Sequence, residues 1–194
     1  FYRLHKDSTF DGWKRRTQPN FKWSVKANRF ITHIKRLKDI NEPMNKFFSN
    51  ILNLKEKIEV ILFQLPPTLE FNDSVLENFL KKLPLDYRYS LEVRNSSFHT
   101  KKAFSLLEKY NIANCISDTA GRFPYSEKIT TDFIYIRLHG SKKLYASNYK
   151  DEELITWMRK IEKWNKDTFV YFDNDANGYA VKNALKLKEL FGLI

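Results

Sequence analysis

The sequence predicts an α/β protein built on parallel strands, closed as a (β/α)₈ barrel rather than opened as a doubly wound sheet. Three observations carry this prediction. Short apolar runs alternate with amphipathic stretches along all 194 residues, with no linker, low-complexity tract or change of composition. No glycine-rich phosphate loop follows any strand, and the chain holds only five glycines, which disfavours the nucleotide-binding open sheet. Polar or charged residues fall at the C-terminal ends of nearly all the strands, the end at which parallel barrels carry their sites.

Taken in order, residues 21–27 alternate like a strand, and residues 44–57 carry Phe47, Phe48, Ile51, Leu52 and Leu54 at helical spacing. Residues 59–65 are a continuous apolar run stopped by Pro66 and Pro67, as in a strand buried on both faces. A helix over 73–82 sets Val75, Leu76, Phe79 and Leu80 on one face. Residues 87–93 form the next strand, 101–110 a helix, and 112–117 the strand after it. Residues 132–139 are the most regularly patterned strand, and 151–164 a helix whose acidic first turn suits its dipole. Residues 168–173 are the last strand and 176–190 the closing helix. Six strands, five of them followed by a helix, call for parallel pairing through helical crossovers.

Composition narrows the function classes. Apolar residues make up 42% of the chain and aromatics 15%, too many for a disordered or fibrous protein. No run of about 18 apolar residues predicts a membrane span, and no signal region opens the chain. The lone Cys115, in an apolar setting, reads as a small buried hydrophobe and fits a reducing, cytoplasmic compartment. The net charge is +11, of which +8 lies within residues 1–60, and favours an anionic partner.

The strand ends offer Lys26, Gln64, Glu92 with Arg94, Asp118, Arg137 with His139, and the run Asp173-Asn174-Asp175. Strand parity sets Tyr135, Arg137 and His139 on one face, opposite Ile134, Ile136 and Leu138. Ser90, Glu92 and Arg94 share a face in the same way, and so do Asn114, Ile116 and Asp118. With the apolar faces against helices, acids and bases from at least four strands converge on one mouth. His139, followed by the small Gly140, is a candidate general base with Asp118, Glu92 or Asp173 at its other nitrogen. His33 either reaches the mouth or caps a helix. Glu92, Asp118, His139 and Asp173 are hard ligands suited to Mg²⁺ or Mn²⁺, but Lys26, Arg94 and Arg137 beside them oppose a cation and suit a phosphate or carboxylate. No metal is therefore expected, and no cofactor is identified. A calcium loop starting at Asp173 fails because its twelfth position is Ala184.

Seven strings stand in order along the chain: Phe1-Tyr-Arg3, Val25-Lys-Ala-Asn28 with Ile31-Thr-His33, Leu62-Phe-Gln-Leu-Pro-Pro67, Glu92-Val-Arg94, Ser117-Asp118, Tyr135-Ile-Arg-Leu-His-Gly140 and Tyr171-Phe-Asp-Asn-Asp175. Together they resemble the YecE-like family, domain of unknown function 72, over essentially the whole chain. The resemblance implies a TIM-type barrel of unassigned activity whose motif residues are Lys26, Thr32, His33, Gln64, Glu92, Arg94, Asp118, Tyr135, Arg137, His139, Tyr149 and Asn174. Asn95 stands where members often carry His, and Asp173 where Asn is usual, which puts activity in doubt if that His is an acid or base. The resemblance also implies that residues 1–194 are a single barrel domain truncated at its N-terminus, supplying strands three to eight. Made alone, such a piece is expected to be unstable, since an opened barrel exposes strand edges.

Two functions compete. The first is an enzyme that binds a small anionic or phosphorylated ligand through Lys26, His33, Gln64, Arg94, Tyr135, Arg137 and Asn174, with Glu92, Asp118 and His139 as proton-transfer groups. The alternative is nucleic-acid binding or phosphodiester cleavage, suggested by Phe10, Trp13, Phe21 and Trp23 interleaved with Lys14, Arg15, Arg16, Lys22 and Lys26. A binding barrel without chemistry is not separable from the first by sequence, and the oligomeric state is left open.

Overall fold

The computed structural model describes residues 7–194, so the Phe1-Tyr2-Arg3 motif lies outside the described residues. The fold is α/β, with parallel strands in each of two compact units, the first ending at Ile112 and the second spanning Ala113–Ile194. No helix among the described residues is long and apolar enough to cross a membrane.

The first unit holds α1 (Asp7–Arg16), β1 (Trp23–Lys26), α2 (Asn41–Ile51), β2 (Ile58–Gln64), α3 (Asp73–Leu80), β3 (Arg88–Glu92) and α4 (Lys101–Lys109). β2 pairs in parallel with β1 and β3, with Val25 beside Ile61 and Gln64 beside Glu92. One sheet face packs Val25, Ile61, Phe63, Leu65, Tyr89, Leu91 and Val93 against Met44, Phe47 and Ile51 of α2, Leu76, Phe79 and Leu80 of α3, and Leu107 of α4. Each such side chain withdraws roughly 1.5–3 kcal/mol worth of apolar surface from water. Alternation leaves Lys26, Gln64, Ser90, Glu92 and Arg94 on the other face. α3 and α4 begin at side-chain caps, Asn72 accepting from the Val75 N–H and Thr100 from the Ala103 N–H.

The second unit holds all but the first residue of β4 (Ile112–Asp118), followed by β5 (Phe133–Leu138), α5 (Asp151–Trp164), β6 (Asp167–Phe172) and α6 (Tyr179–Leu190). β5 lies parallel to both β4 and β6. Ile116, Ile134, Ile136 and Leu138 pack against Leu154 and Trp157 of α5, and Cys115 is buried. The Glu153 carboxylate accepts from the Lys150 N–H and fixes the start of α5, which ends at Asn165 in the left-handed region.

Two elements differ from the sequence expectation. The helix over 44–57 is α2 only as far as Ile51; residues Leu52–Lys57 wind on as a 3₁₀ turn. Lys57 Nζ there donates to the carbonyls of Lys14, Thr17 and Gln18, filling acceptors at the end of α1. The closing helix starts at Tyr179, because Asn177 and Gly178 have φ of 56° and 70°, outside the helical region. No helix follows β4, so the strand–helix alternation is broken once. The polar loop 119–132, with Gly121 and Pro124, takes the helix's place and is held by the Asn114 N–H to Thr130 Oγ1 and Asn114 Nδ2 to the carbonyls of Ser126 and Lys128.

Candidate functional site

The C-terminal ends of β1, β2 and β3 gather a basic group of side chains in the first unit. β3 ends in Glu92, fully buried at 0% exposure, whose Oε1 accepts from Arg94 Nε at 2.8 Å. Gln64 is buried at the neighbouring position of β2. His33 sits in the short π turn Phe30–Ile34 that follows β1, where its Nδ1 lies 2.8 Å from the hydroxyl of buried Thr32. Burial first, then the charges of Arg29, Lys26 and Arg94, hold the His33 imidazole below its ordinary value. Lys26, Arg29 and Arg94 thus act at one point, and of the three only Arg29 was not singled out in the sequence. It lies beyond the strand, where parity gives no guide.

The second unit builds another group on β5 and β6. Arg137 and His139 share a face, as alternation requires, and both reach one oxygen of Asp173 at the end of β6: Arg137 through Nη2 and His139 through Nδ1 at 3.1 Å. Arg137 is 8% exposed, His139 0% and the Asp173 side chain 29%, so the carboxylate is the accessible member. Tyr135, also buried, stacks on Tyr171 with ring centroids 5.0 Å apart. The loop after β5 covers His139, with the Tyr145 ring edge-on to the imidazole and the Tyr145 N–H donating to the His139 carbonyl. Gly140 makes that loop possible. Its φ is +124°, and a Cβ would stand 2.4 Å from the Lys143 carbonyl oxygen.

Asp118 does not join this group. Alternation puts it on the helix-facing side of β4 with Ile116, and its Oδ2 accepts from the hydroxyl of Tyr149 at 2.9 Å. The same hydroxyl accepts from the Gly140 N–H at 3.0 Å. Burial, followed by the Asp118 charge, pushes the Tyr149 phenol up. Asn174 is equally committed: its Nδ2 donates to the Ser147 carbonyl and to Asn183 Oδ1, while Asn183 Nδ2 donates to Asn148 Oδ1 and the Tyr149 carbonyl. The amide pair ties the β5–α5 loop to α6. Asn183 was missed because a lone Asn inside a helix carries no local signal.

The aromatic residues that suggested nucleic acid are largely engaged with one another. Trp13 stacks on Trp23 with centroids 5.1 Å apart, buried Phe10 meets Trp13 edge-on, and only Phe21 of the four is exposed.

With this geometry in place, comparison with known proteins is informative. The family model described as protein of unknown function DUF72 matches residues 1–193. The UPF0759 protein YecE of Escherichia coli K12 is 24% identical over 196 residues, covering 88% of this chain and 71% of that protein. The UPF0759 protein YunF of Bacillus subtilis 168 is 23% identical over 228 residues, covering 100% of this chain and 81% of that protein. Among solved structures, a DUF72 family protein from Thermotoga maritima matches with a TM-score of 0.88 and 28% identity, over 99% of this chain and 82% of that one. A DUF72 family protein from Enterococcus faecalis matches with a TM-score of 0.84 and 19% identity, over 100% of this chain and 82% of that one.

Proposed function

The chain belongs to the DUF72 family, and we propose that it is an enzyme that binds a small anionic ligand, a phosphate or carboxylate, at the strand ends of its first unit and uses Glu92 to move a proton on it. The observation that carries this reading is the joint field of Lys26, Arg29 and Arg94 on His33. All three cations act on the half-buried His33, and their combined positive field favours an anion at that point. Arg94 offers a planar fork for two oxygens, and the buried Gln64 amide adds a donor. Glu92, already bonded to Arg94, is the carboxylate nearest that fork in sequence and geometry.

In the second unit Asp173 is the corresponding candidate for proton acceptance, oriented by Arg137 and His139. His139, whose Nδ1 faces Asp173, acts through that carboxylate rather than on a ligand directly. Asp118 has no part in this proposal, because its carboxylate is turned toward Tyr149. The parallel pairing, with apolar faces on helices and polar side chains on the opposite face, also supports reading these strands as part of a closed (β/α)₈ barrel, which a strand count in a crystal structure of the protein tests.

The decisive experiment follows the His33 imidazole by NMR through a pH titration, with and without millimolar inorganic phosphate. Bound phosphate is expected to raise the His33 pKa toward or above its ordinary value, and Arg94→Met to abolish that rise. An unchanged His33 titration at saturating phosphate overturns the reading. Glu92→Gln is expected to retain phosphate and, with a turned-over substrate, to lose about 10²–10⁴-fold in rate.

A further inference from the structure

The second unit contains a cleft of about 370 Å³ that the proposed anion site does not use, between the end of β4, the loop 119–132 and α5. This volume suits a small molecule. Its walls include Asp118, Glu153, Tyr125 and Trp157, together with Lys160 and Ser141.

The charges in this cleft are unusual for a chain of net charge +11. Five other carboxylates that are buried or partly buried have a basic partner: Glu59 has Arg88, Glu77 has Lys109, Glu92 has Arg94, Glu127 has Lys160 and Asp173 has Arg137. Among the described residues neither Asp118 nor Glu153 has a Lys, Arg or His within ion-pair distance. Asp118 accepts only from the Tyr149 hydroxyl and the Ala120 N–H, and Glu153 from the Lys150 N–H, which leaves acceptor positions on both carboxylates. Both charges act on the Tyr149 phenol, which places them around one point. Lys160 does not neutralise them, since its Nζ is bonded to Glu127 at 2.6 Å.

Two further features point to an occupant. Ser141 lines the cleft, and its buried hydroxyl has no hydrogen-bond partner among the described residues. The aromatic walls already accept a cation, with Lys160 Nζ 4.9 Å from the Trp157 ring centre and 5.8 Å from that of Tyr125. An anion is repelled here, and a neutral solute leaves two carboxylates uncompensated.

We infer that this cleft binds a small organic cation, an alkylammonium whose charged end meets Asp118 and Glu153 while its alkyl part lies along Tyr125 and Trp157. The N–H donors fill the vacant carboxylate positions, and the hydrocarbon covers the aromatic edges.

The test uses n-butylammonium chloride and its neutral analogue 1-butanol, titrated at constant ionic strength and followed by the NMR signals of the Trp157 indole, the Tyr125 ring and the Gly121 amide. Butylammonium is expected to give saturable shifts, with 1-butanol at least about ten-fold weaker. Asp118→Asn keeps an acceptor for the Tyr149 hydroxyl and is expected to weaken butylammonium about ten-fold. Thr156→Lys, on an exposed position of α5 that borders the cleft, supplies a tethered ammonium and is expected to abolish binding even if Asp118→Asn does not fold. Equal affinity for 1-butanol, non-saturating shifts, or a folded Thr156→Lys that binds as the parent does overturns the inference. Phosphate at the first unit is read from His33, so the two proposals fail separately.

Discussion

Tyr149 Oη joins the Asp118 carboxylate to the Gly140 N–H, and Tyr149→Phe leaves both without that partner while changing nothing else in shape. The expected loss is about 1–3 kcal/mol, read as a lower urea midpoint at unchanged slope. Gly140→Ala meets the Lys143 carbonyl and a disallowed φ together, and is expected to cost at least about 1–3 kcal/mol by the same measurement. Asp173→Ala removes a carboxylate partner from nearly buried Arg137, and since Asp173 keeps some solvent the cost is expected at or below the low end of roughly 3–5 kcal/mol. The imidazole of His33 makes a pH prediction. Its folded pKa lies below its unfolded value, so the unfolded chain binds the proton first as pH falls. Stability from the neutral ring is therefore complete above about pH 6.5 and declines below it, toward the folded pKa. His99, lowered by burial, acts with the same sign. Replacing both by Gln is expected to flatten urea midpoints measured over that acid window; an unchanged slope counts against the assignment. At this scale the sequence was readable wherever alternation decides. Ser90, Glu92 and Arg94, and likewise Arg137 and His139, share faces because a strand has period two. That Asp118 does not meet His139 follows from the same alternation, whereas the meeting of Asp173 with His139 depends on how far β6 runs before its loop, which residue types do not encode.

Helices and strands with their own local signals were legible to within a few residues, and the departures have local causes. α5 spans the expected range because an acidic first turn starts it and Asn165, free to adopt a left-handed conformation, stops it. α4 depends on one hydroxyl at its start, so Thr100→Ala is expected to cost about 1 kcal/mol, with amide exchange accelerating first at Ala103. α2 ends early for a tertiary reason, the capture of α1 carbonyls by Lys57, and no periodicity within residues 44–57 announces that. The loop 119–132 is the connection that most departs from the repeating pattern. A regular strand–helix alternation invites a helix after β4, yet Gly121, Pro124 and the absence of an apolar stripe deny it one. Asn114 then supplies from within the strand the donors that hold the loop in place. That substitution of loop for helix opens the cleft beside Asp118, so the feature least regular in the sequence carries the new site.

Across the whole chain the +11 charge has two consequences, which experiments can separate. Part of the excess in residues 1–60 is already engaged, Lys14 with Glu56, Lys22 with Glu59 and Lys55 with Asp86. Arg15 and Arg16 of α1 lie exposed, and a surface field of this kind attracts any polyanion at low ionic strength. It also fades within the Debye length of about 8 Å at physiological salt. The field at Lys26, Arg29 and Arg94 is different in kind, because it acts on a partly buried imidazole and is less screened. A double dissociation follows. Arg15→Gln with Arg16→Gln is expected to shorten retention on immobilised heparin and to lower the salt dependence of oligonucleotide binding, with phosphate still raising the His33 pKa. Arg94→Met is expected to do the reverse, abolishing the phosphate response while leaving heparin retention almost unchanged. Should Arg94→Met instead remove both in parallel, the strand-end site and the polyanion surface are one, and nucleic acid becomes the better reading of the charge.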